Sequence, residues 1–522
     1  MPILAGNIPC VASIVGAVLL ALGLTAAPGH AQIAVAAGSE QIIISNKPQQ
    51  ESRVRKLVTR LLGKMKTERL KTTGSEVVSV PKGKSVWLKK RLERAGAKVT
   101  RLRENWNHIL TWPKERVPLT RRQKSTIATA SKSPETVNVG VLKMANAAVA
   151  ELALTRFEKS VGTKGRAGPK EDPYAKVVLP MSEGKHITLV RKRPPDITSR
   201  GVTWIGETEE TGERAVLMLW KDGHLSGYFG YRGRVFTVNH VGGDVHTMAE
   251  IDPRKLPPDH APGPAQRDKS VAIPSPQPTL PPSPPEPTVA PFADAQRQAL
   301  EAKSITIDLM LLYTKKVANR YIRDPADLSA LAIEQANETF RNSGLGNIRL
   351  RLVHSRLIDY DEAGADQFDH LYRMVDGVGV FKDLKKLRNE KRADIVGLIL
   401  HSPTGCGLST RVGPDAEEAF FVVHHACAAI TYSIAHEVGH ILGARHDRFM
   451  DATDTPFPFA HGYINGTKWR DMMSYQEGCG GCPRIPYWSN PRVMYRGDPT
   501  GTAASDNARV ILEQAARVSN FR

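Results

Sequence analysis

The spacing of apolar and polar residues divides the chain into stretches of different character. From about 47 to 200, Val and Leu recur at helical spacing among basic and polar residues, as in SRVRKLVTRLLGKMKTERLK and VWLKKRLERAGAKVTRL. That spacing predicts solvated amphipathic helices, since residues three and four apart share one helical face. Between 202 and 240 the period changes, and short alternating apolar runs broken by DG and RG predict antiparallel strands and hairpins. The run PSPQPTLPPSPPEPTVAP (274–291) can neither donate to a sheet nor continue a helix, so it predicts an extended tether. Beyond it, SITIDLMLLYT (304–314) has the pattern of a buried strand, and ALAIEQANETFRNSGLG (330–346) that of a helix stopped by glycine. Further strands are expected at 347–358, 394–400 and 419–424, with a helix near 380–392. Alternating strands and helices argue for an α/β or α+β unit.

Five segments follow: 1–31, a basic and partly helical region at 32–200, a β-rich unit at 201–256, a Pro-rich linker at 257–302, and the α/β unit at 303–522. The formal charge of +19 suggests nucleic acid until its distribution is considered. Residues 1–302 hold 45 Lys and Arg against 27 Asp and Glu, whereas 303–522 hold 27 against 26. The basicity belongs to the front half, and no nucleic-acid partner is expected for the back half. VASIVGAVLLALGLTAA (11–27), followed by the small residues Gly29 and Ala31, has the form of a secretory signal. No second apolar run of about twenty residues occurs, so no membrane anchor is expected in the mature form. The expected location is extracellular or periplasmic. Cysteine use agrees with export: none occurs from 11 to 405, then Cys406, Cys427, Cys479 and Cys482 make an even set. Of the three pairings, 406 with 427 and 479 with 482 is favoured, with a thiolate metal site at CGGC as the rival reading.

The segment HEVGHILGARHD (436–447) carries the chemistry. His436 and His440 are four apart and stack on one helical face, where both imidazoles reach one metal ion. Glu437 is turned about 100° away, beside the metal and not on it, placed to take a proton from an attacking water. Gly443 ends the helix and lets the chain swing round to deliver His446 as a third ligand. A fourth position is left open, as a catalytic zinc requires. One Zn2+ ion is therefore expected.

This extended motif resembles that of the metzincin metallopeptidases, HExxHxxGxxH followed by a Met-turn. In RDMMSYQEG the resemblance places Met473 at the turn, with Met472 as runner-up, and implies a hydrophobic base beneath the zinc. For Tyr475 the resemblance leaves two readings open, a zinc-proximal or oxyanion group and a packing tyrosine, and it implies Asp447 as a buried structural residue. CGLST, FFVVHHAC, GCGGCPRIPYWSNP and VSNFR, over 303–522, are similar to a reprolysin-like group, the bacterial peptidyl-Asp metalloendopeptidases. TWIG and DGHLSGYF are similar to a reprolysin-type propeptide. The resemblance implies a metzincin fold with a mixed sheet and an active-site helix, protein or peptide substrates, and a preproenzyme whose own pro-region is a partner. It also implies an acidic residue in the pocket after the scissile bond, for which Arg484 is the candidate reader and Arg445 its competitor, the alternative being that Arg484 simply points to water. A propeptide thiolate switch is excluded, since no cysteine lies between 11 and 405. His424 and His425 read as packing residues, RGD (496–498) as a chance tripeptide, and Asn337 and Asn465 as sequons. The expectation is a secreted zinc endopeptidase with Glu437 as general base. A non-catalytic, zinc-binding adhesion protein is the alternative.

Overall fold

A computed structural model describes residues 39–45, 51–62, 67–70, 74–81, 84–101, 109–144, 176–182, 184–193, 196–197, 200–259, 287–321 and 325–522. The expected signal (1–31) and most of the Pro-rich linker lie outside the described residues. Among those described, no helix is long and apolar enough to cross a membrane.

The basic front region differs from the row of solvated helices expected of it. Residues 39–101 form a small unit in which strand Ser39–Ser45 pairs antiparallel with both Glu76–Pro81 and Lys98–Arg101. Helices Glu51–Leu62 and Ser85–Arg94 turn Val54, Val58, Leu88 and Leu92 onto the sheet residues Ile42, Ile44, Val78, Val80 and Val99. The helical spacing of Val and Leu thus marks a face covering a sheet, which periodicity cannot distinguish from a face covering nothing.

Strands from Leu110 to Ile251 build one large antiparallel sheet. It takes in the segment expected to be β-rich (201–256) and also draws in 110–144 and 176–191, because sheet pairing joins strands remote in sequence. Its central strand Arg214–Trp220 is buried on both faces. Ala215, Leu217 and Leu219 enter one core, while Val216, Met218 and Trp220 enter the core of the downstream domain. A period-2 backbone divides an unbroken apolar run between two cores in this way.

In the downstream domain, strand β1 (Ile305–Thr314) runs parallel to β2 (Ile348–Ile358), and helix α1 (Ala326–Asn342) connects them. Helix α2 (Gln367–Val375) leads toward β3 (Ile395–Leu400), which is parallel to β1 and to β5 (Phe420–His424). The short strand β4 (Gly407–Ser409) closes the edge antiparallel to β5, giving the order β2-β1-β3-β5-β4. Helix α3 (Ser433–Ile441) buries Ile434, Val438 and Ile441 in the core beneath the sheet, and α4 (Asn507–Val518) closes the domain. The sheet is mixed and the domain α/β. The upstream sheet docks on α1, where Arg214 pairs with Glu338 and His224 Nε2 lies 2.6 Å from Asp327, and on the start of α3, where Tyr228 Oη lies 3.4 Å from Tyr432 Oη.

Candidate active site

Helix α3 is nine residues long and buried throughout, so its polar side chains cannot be solvated and must have partners. His436 Nδ1 donates to Met472 O at 3.1 Å, and His440 Nδ1 donates to Ala444 O at 2.9 Å. Each bond fixes the tautomer with the proton on Nδ1, so that Nε2 carries the lone pair. The helix stops where Gly443 takes φ +92, a conformation costly for other residues, and the chain returns with His446. Ligand atoms of His436, His440 and His446 all lie within 4.8 Å of one another. His436 Nε2 and His446 Nε2 are 3.3 Å apart. A tetrahedral site with Zn–N bonds of about 2.0–2.1 Å has edges of about 3.3–3.4 Å, so the three imidazoles fit a zinc ion.

Glu437 is 1% exposed, and its side chain turns toward β4. Burial raises its pKa to about 8, against the opposing pull of the Ser409 hydroxyl and the Arg484 charge. A cation held by the adjacent imidazoles would oppose the rise. Ser409 Oγ donates to Glu437 Oε2 at 2.8 Å and fixes the carboxylate. Room for that carboxylate comes from Gly407, where an added Cβ would stand 2.8 Å from Glu437 Cδ and 3.0 Å from Cγ. Neither residue was singled out from the sequence, although both lie in CGLST. Only strand pairing brings them to the helix.

Met472 and Met473 are both fully buried, and Met473 Sδ lies 3.1 Å from where a Cβ on Gly439 would be. The turn is held by Asp471, whose Oδ1 accepts from the backbone N–H of Met473 and Ser474 and from Ser474 Oγ, at 2.6–3.1 Å. Asp447 Oδ2 accepts from Tyr475 N at 2.9 Å, tying the chain after His446 to the chain after the turn. The Tyr475 hydroxyl lies 3.3 Å from His446 Nε2. Burial holds its pKa well above 10, with Asp259 and Glu437 adding to the rise, so it keeps its proton at neutral pH. Disulfides join Cys406 to Cys427 and Cys479 to Cys482, leaving no thiolates in CGGC for a metal.

Arg484 does not point to water. Its side chain is 8% exposed, and Nη1 donates to Thr431 O at 3.0 Å. Arg470, just before the Met-turn, lies beside it through the bridge that aligns the two chain segments. Both guanidiniums reach one carboxylate oxygen, Asp259 Oδ2, at 3.0 Å each. Burial pushes the Asp259 pKa up, and the Arg484 and Arg470 charges more than offset this, leaving it below the ordinary value. The competing candidate Arg445 is taken up by Asp451 at 2.8 Å and Thr455 O at 2.6 Å. Arg470 was not singled out from the sequence, because nothing in RDMMSYQEG marks its arginine as the neighbour of one fourteen residues on.

His424 and His425 close a second histidine group with His401. There Arg320 donates to His401 Nε2 at 3.0 Å and the Ala426 N–H to His424 Nδ1 at 3.2 Å, so the rings bond to protein and to each other. Asp498 of RGD accepts from Lys468 at 2.8 Å and from Asn465 at 2.9 Å. Asn337 is buried and bonded to the Leu350 backbone.

Residues 303–489 match the model of metallo-peptidase family M12, in its Reprolysin_5 form. A peptidyl-Asp metalloendopeptidase of Xanthomonas campestris pv. campestris is 28% identical over 397 residues, covering 72% of this chain and 90% of that one. One from Stenotrophomonas maltophilia (strain K279a) is 29% identical over 65% of this chain and 81% of its own length. A third, of Pseudomonas fragi, is 40% identical over 98 residues, 18% of this chain and 62% of that protein.

Proposed function

We propose that this metalloendopeptidase, whose residues 303–489 form a reprolysin-like domain of family M12, is made as a secreted preproenzyme that cuts on the N-terminal side of aspartate. The observation that carries the specificity is the pair of buried guanidiniums of Arg470 and Arg484, which already converge on a carboxylate beside the Met-turn. Two charged donors on one acceptor discriminate strongly against a neutral isostere, because the guanidiniums would otherwise be buried without a counter-charge. The names of the relatives carry the same specificity.

His436, His440 and His446 would hold the zinc ion, which when bound supplies a Lewis acid that polarises the scissile carbonyl and acidifies water. Glu437 takes the proton of the attacking water as the C–O bond forms, then passes it to the leaving nitrogen as the C–N bond breaks. Ser409 keeps the carboxylate in the rotamer that makes both transfers. Tyr475, protonated and at the rim of the histidine triad, is placed to donate to the oxyanion. Met473 supports the helix from beneath. The pro-region, docked on α1 through Arg214 and His224 and on Tyr432 through Tyr228, is released by a cut between about 257 and 303.

Peptides that differ only in Asp or Asn after the scissile bond test the specificity. A gap of about 1.5–3 kcal/mol in transition-state binding is expected for a charged hydrogen bond, and Arg484→Gln should close most of it. Equal kcat/KM for the two peptides would remove the aspartate reading and leave the zinc chemistry standing.

A further inference from the structure

Asp259 belongs to the segment upstream of the catalytic domain, yet it pairs with two buried arginines of that domain. Its Oδ2 sits 3.0 Å from Arg470 Nη1 and 3.0 Å from Arg484 Nη2, and its side chain is 14% exposed. The pocket is built for a carboxylate. Arg470 is braced by Ser474 O at 2.6 Å and Cys482 O at 3.3 Å, and Arg484 by Thr431 O at 3.0 Å. Among the described residues Arg484 Nε has no partner, so part of the fork remains available. The walls are the Met-turn on one side and the chain closed by Cys479–Cys482 on the other. One residue back, the Pro258 carbonyl accepts from Cys406 N–H at 2.7 Å. Cys406 leads directly into β4, the edge strand whose Gly407 and Ser409 frame Glu437.

We propose that Pro257–Asp259 is a built-in substrate mimic: Asp259 fills the pocket in which Arg470 and Arg484 together read a substrate aspartate, and the uncut chain is latent while it stays there. The inference rests on the aspartate specificity proposed above and extends it in two respects. It assigns Arg470 as the second specificity-determining residue, and it names the group that must leave before substrate enters. The same geometry accounts for the mimic not being cut. If Asp259 were read as substrate, the attacked carbonyl would be that of Pro258, and that oxygen is held by the edge strand through Cys406 N–H. No propeptide cysteine is needed, since the blocking contact is made to the specificity pocket and not to the metal ligands.

The test compares uncut wild-type chain with uncut Asp259→Asn, each verified by mass before assay, on a quenched peptide carrying Asp after the scissile bond. The variant should turn over at least tenfold faster than the wild-type chain. The synthetic peptide LPPDHA (Leu256–Ala261) should inhibit it again, and the counterpart LPPNHA should do so at least tenfold more weakly. The same two peptides added to the wild-type chain after its own processing give an arm that needs no variant to fold. In a separate arm, processed Arg470→Lys and Arg484→Gln should each lose most of the difference between the two peptides. Uncut wild type as fast as Asp259→Asn, a cut between Pro258 and Asp259, or equal inhibition by the two peptides would overturn the mimic. If Asp259→Asn is released but cuts Asp and Asn substrates equally, the specificity reading fails while the blocking contact stands. If Asp is preferred but nothing is released, the reverse holds.

Discussion

Gly407→Ala should inactivate the enzyme without touching any group that binds metal or substrate. The backbone at Gly407 lies in β4, paired with Val423, and has no positive φ, so alanine fits the strand itself. Its methyl carbon, however, would stand 2.8 Å from Cδ and 3.0 Å from Cγ of Glu437. Ordinary contact is 3.4–4 Å. The carboxylate must therefore retreat by a shift on the order of 1 Å, and it loses its 2.8 Å bond to Ser409 as it goes. A misplacement of that size in a proton-transferring group costs roughly 10²-fold in rate, or about 2.7 kcal/mol. Because the displaced group is the end of a flexible side chain, the fold should survive. The assay is kcat/KM on a peptide substrate together with zinc content and thermal unfolding. Gly346→Ala, which meets nothing within 4 Å, is the control. Activity of Gly407→Ala within threefold of wild type, at equal zinc, would refute the placement of Glu437 against β4.

Glu437→Gln should retain zinc and fold and lose kcat by about 10²–10⁴-fold, and chelation should abolish the wild-type activity until zinc is returned. Removing the Cys406–Cys427 bridge by Cys406→Ser with Cys427→Ser frees a loop with a sequence separation of 21 and should cost about 3 kcal/mol in denaturant unfolding. Burial lowers His246 and His424 to a pKa of about 3, with His240 adding to the effect at the first and His401 and Arg320 at the second. The folded state then refuses protons that the unfolded chain takes up below its ordinary value. Stability should fall as pH drops from about 6.5 toward 4, by about 1.4 kcal/mol per pH unit for each histidine. Unfolding of the metal-free protein at pH 7 and 5.5 measures it, and His424→Asn should reduce the slope.

The catalytic segment was legible because its chemistry is local. His436, Glu437 and His440 lie within five residues, so helical geometry alone sorts them into two ligands and a neighbour, and Gly443 with His446 follows within the next turn of chain. The same holds for β1, α1, β2, β3 and β5, whose apolar periods predict type and position to within a few residues. Cysteine placement suggested the two disulfides, since an even set in the back half admits only three pairings. The front region was misread at the next level up. Its amphipathic helices are present, but what their apolar faces cover was decided by strands pairing across 30 or more residues.

Other features were settled by the tertiary structure alone. Ser409 and Gly407 reach Glu437 because an antiparallel edge strand passes the active-site helix, and no spacing rule connects residues 407 and 437. Arg470 meets Arg484 because the chain reverses through the Met-turn and returns beside itself, and both meet Asp259 from more than 200 residues upstream. Such convergence depends on which surfaces share a core and on the absence of water between them, and a one-dimensional pattern encodes neither. The sequence by itself determined the helix that carries His436, Glu437 and His440 and the elements of the sheet, since these follow from backbone periods of 3.6 and 2. The tertiary structure decided what surrounds Glu437, what meets Arg470 and Arg484 and which faces the upstream sheet covers, because buried charges and apolar faces take their partners from whatever the fold brings within reach.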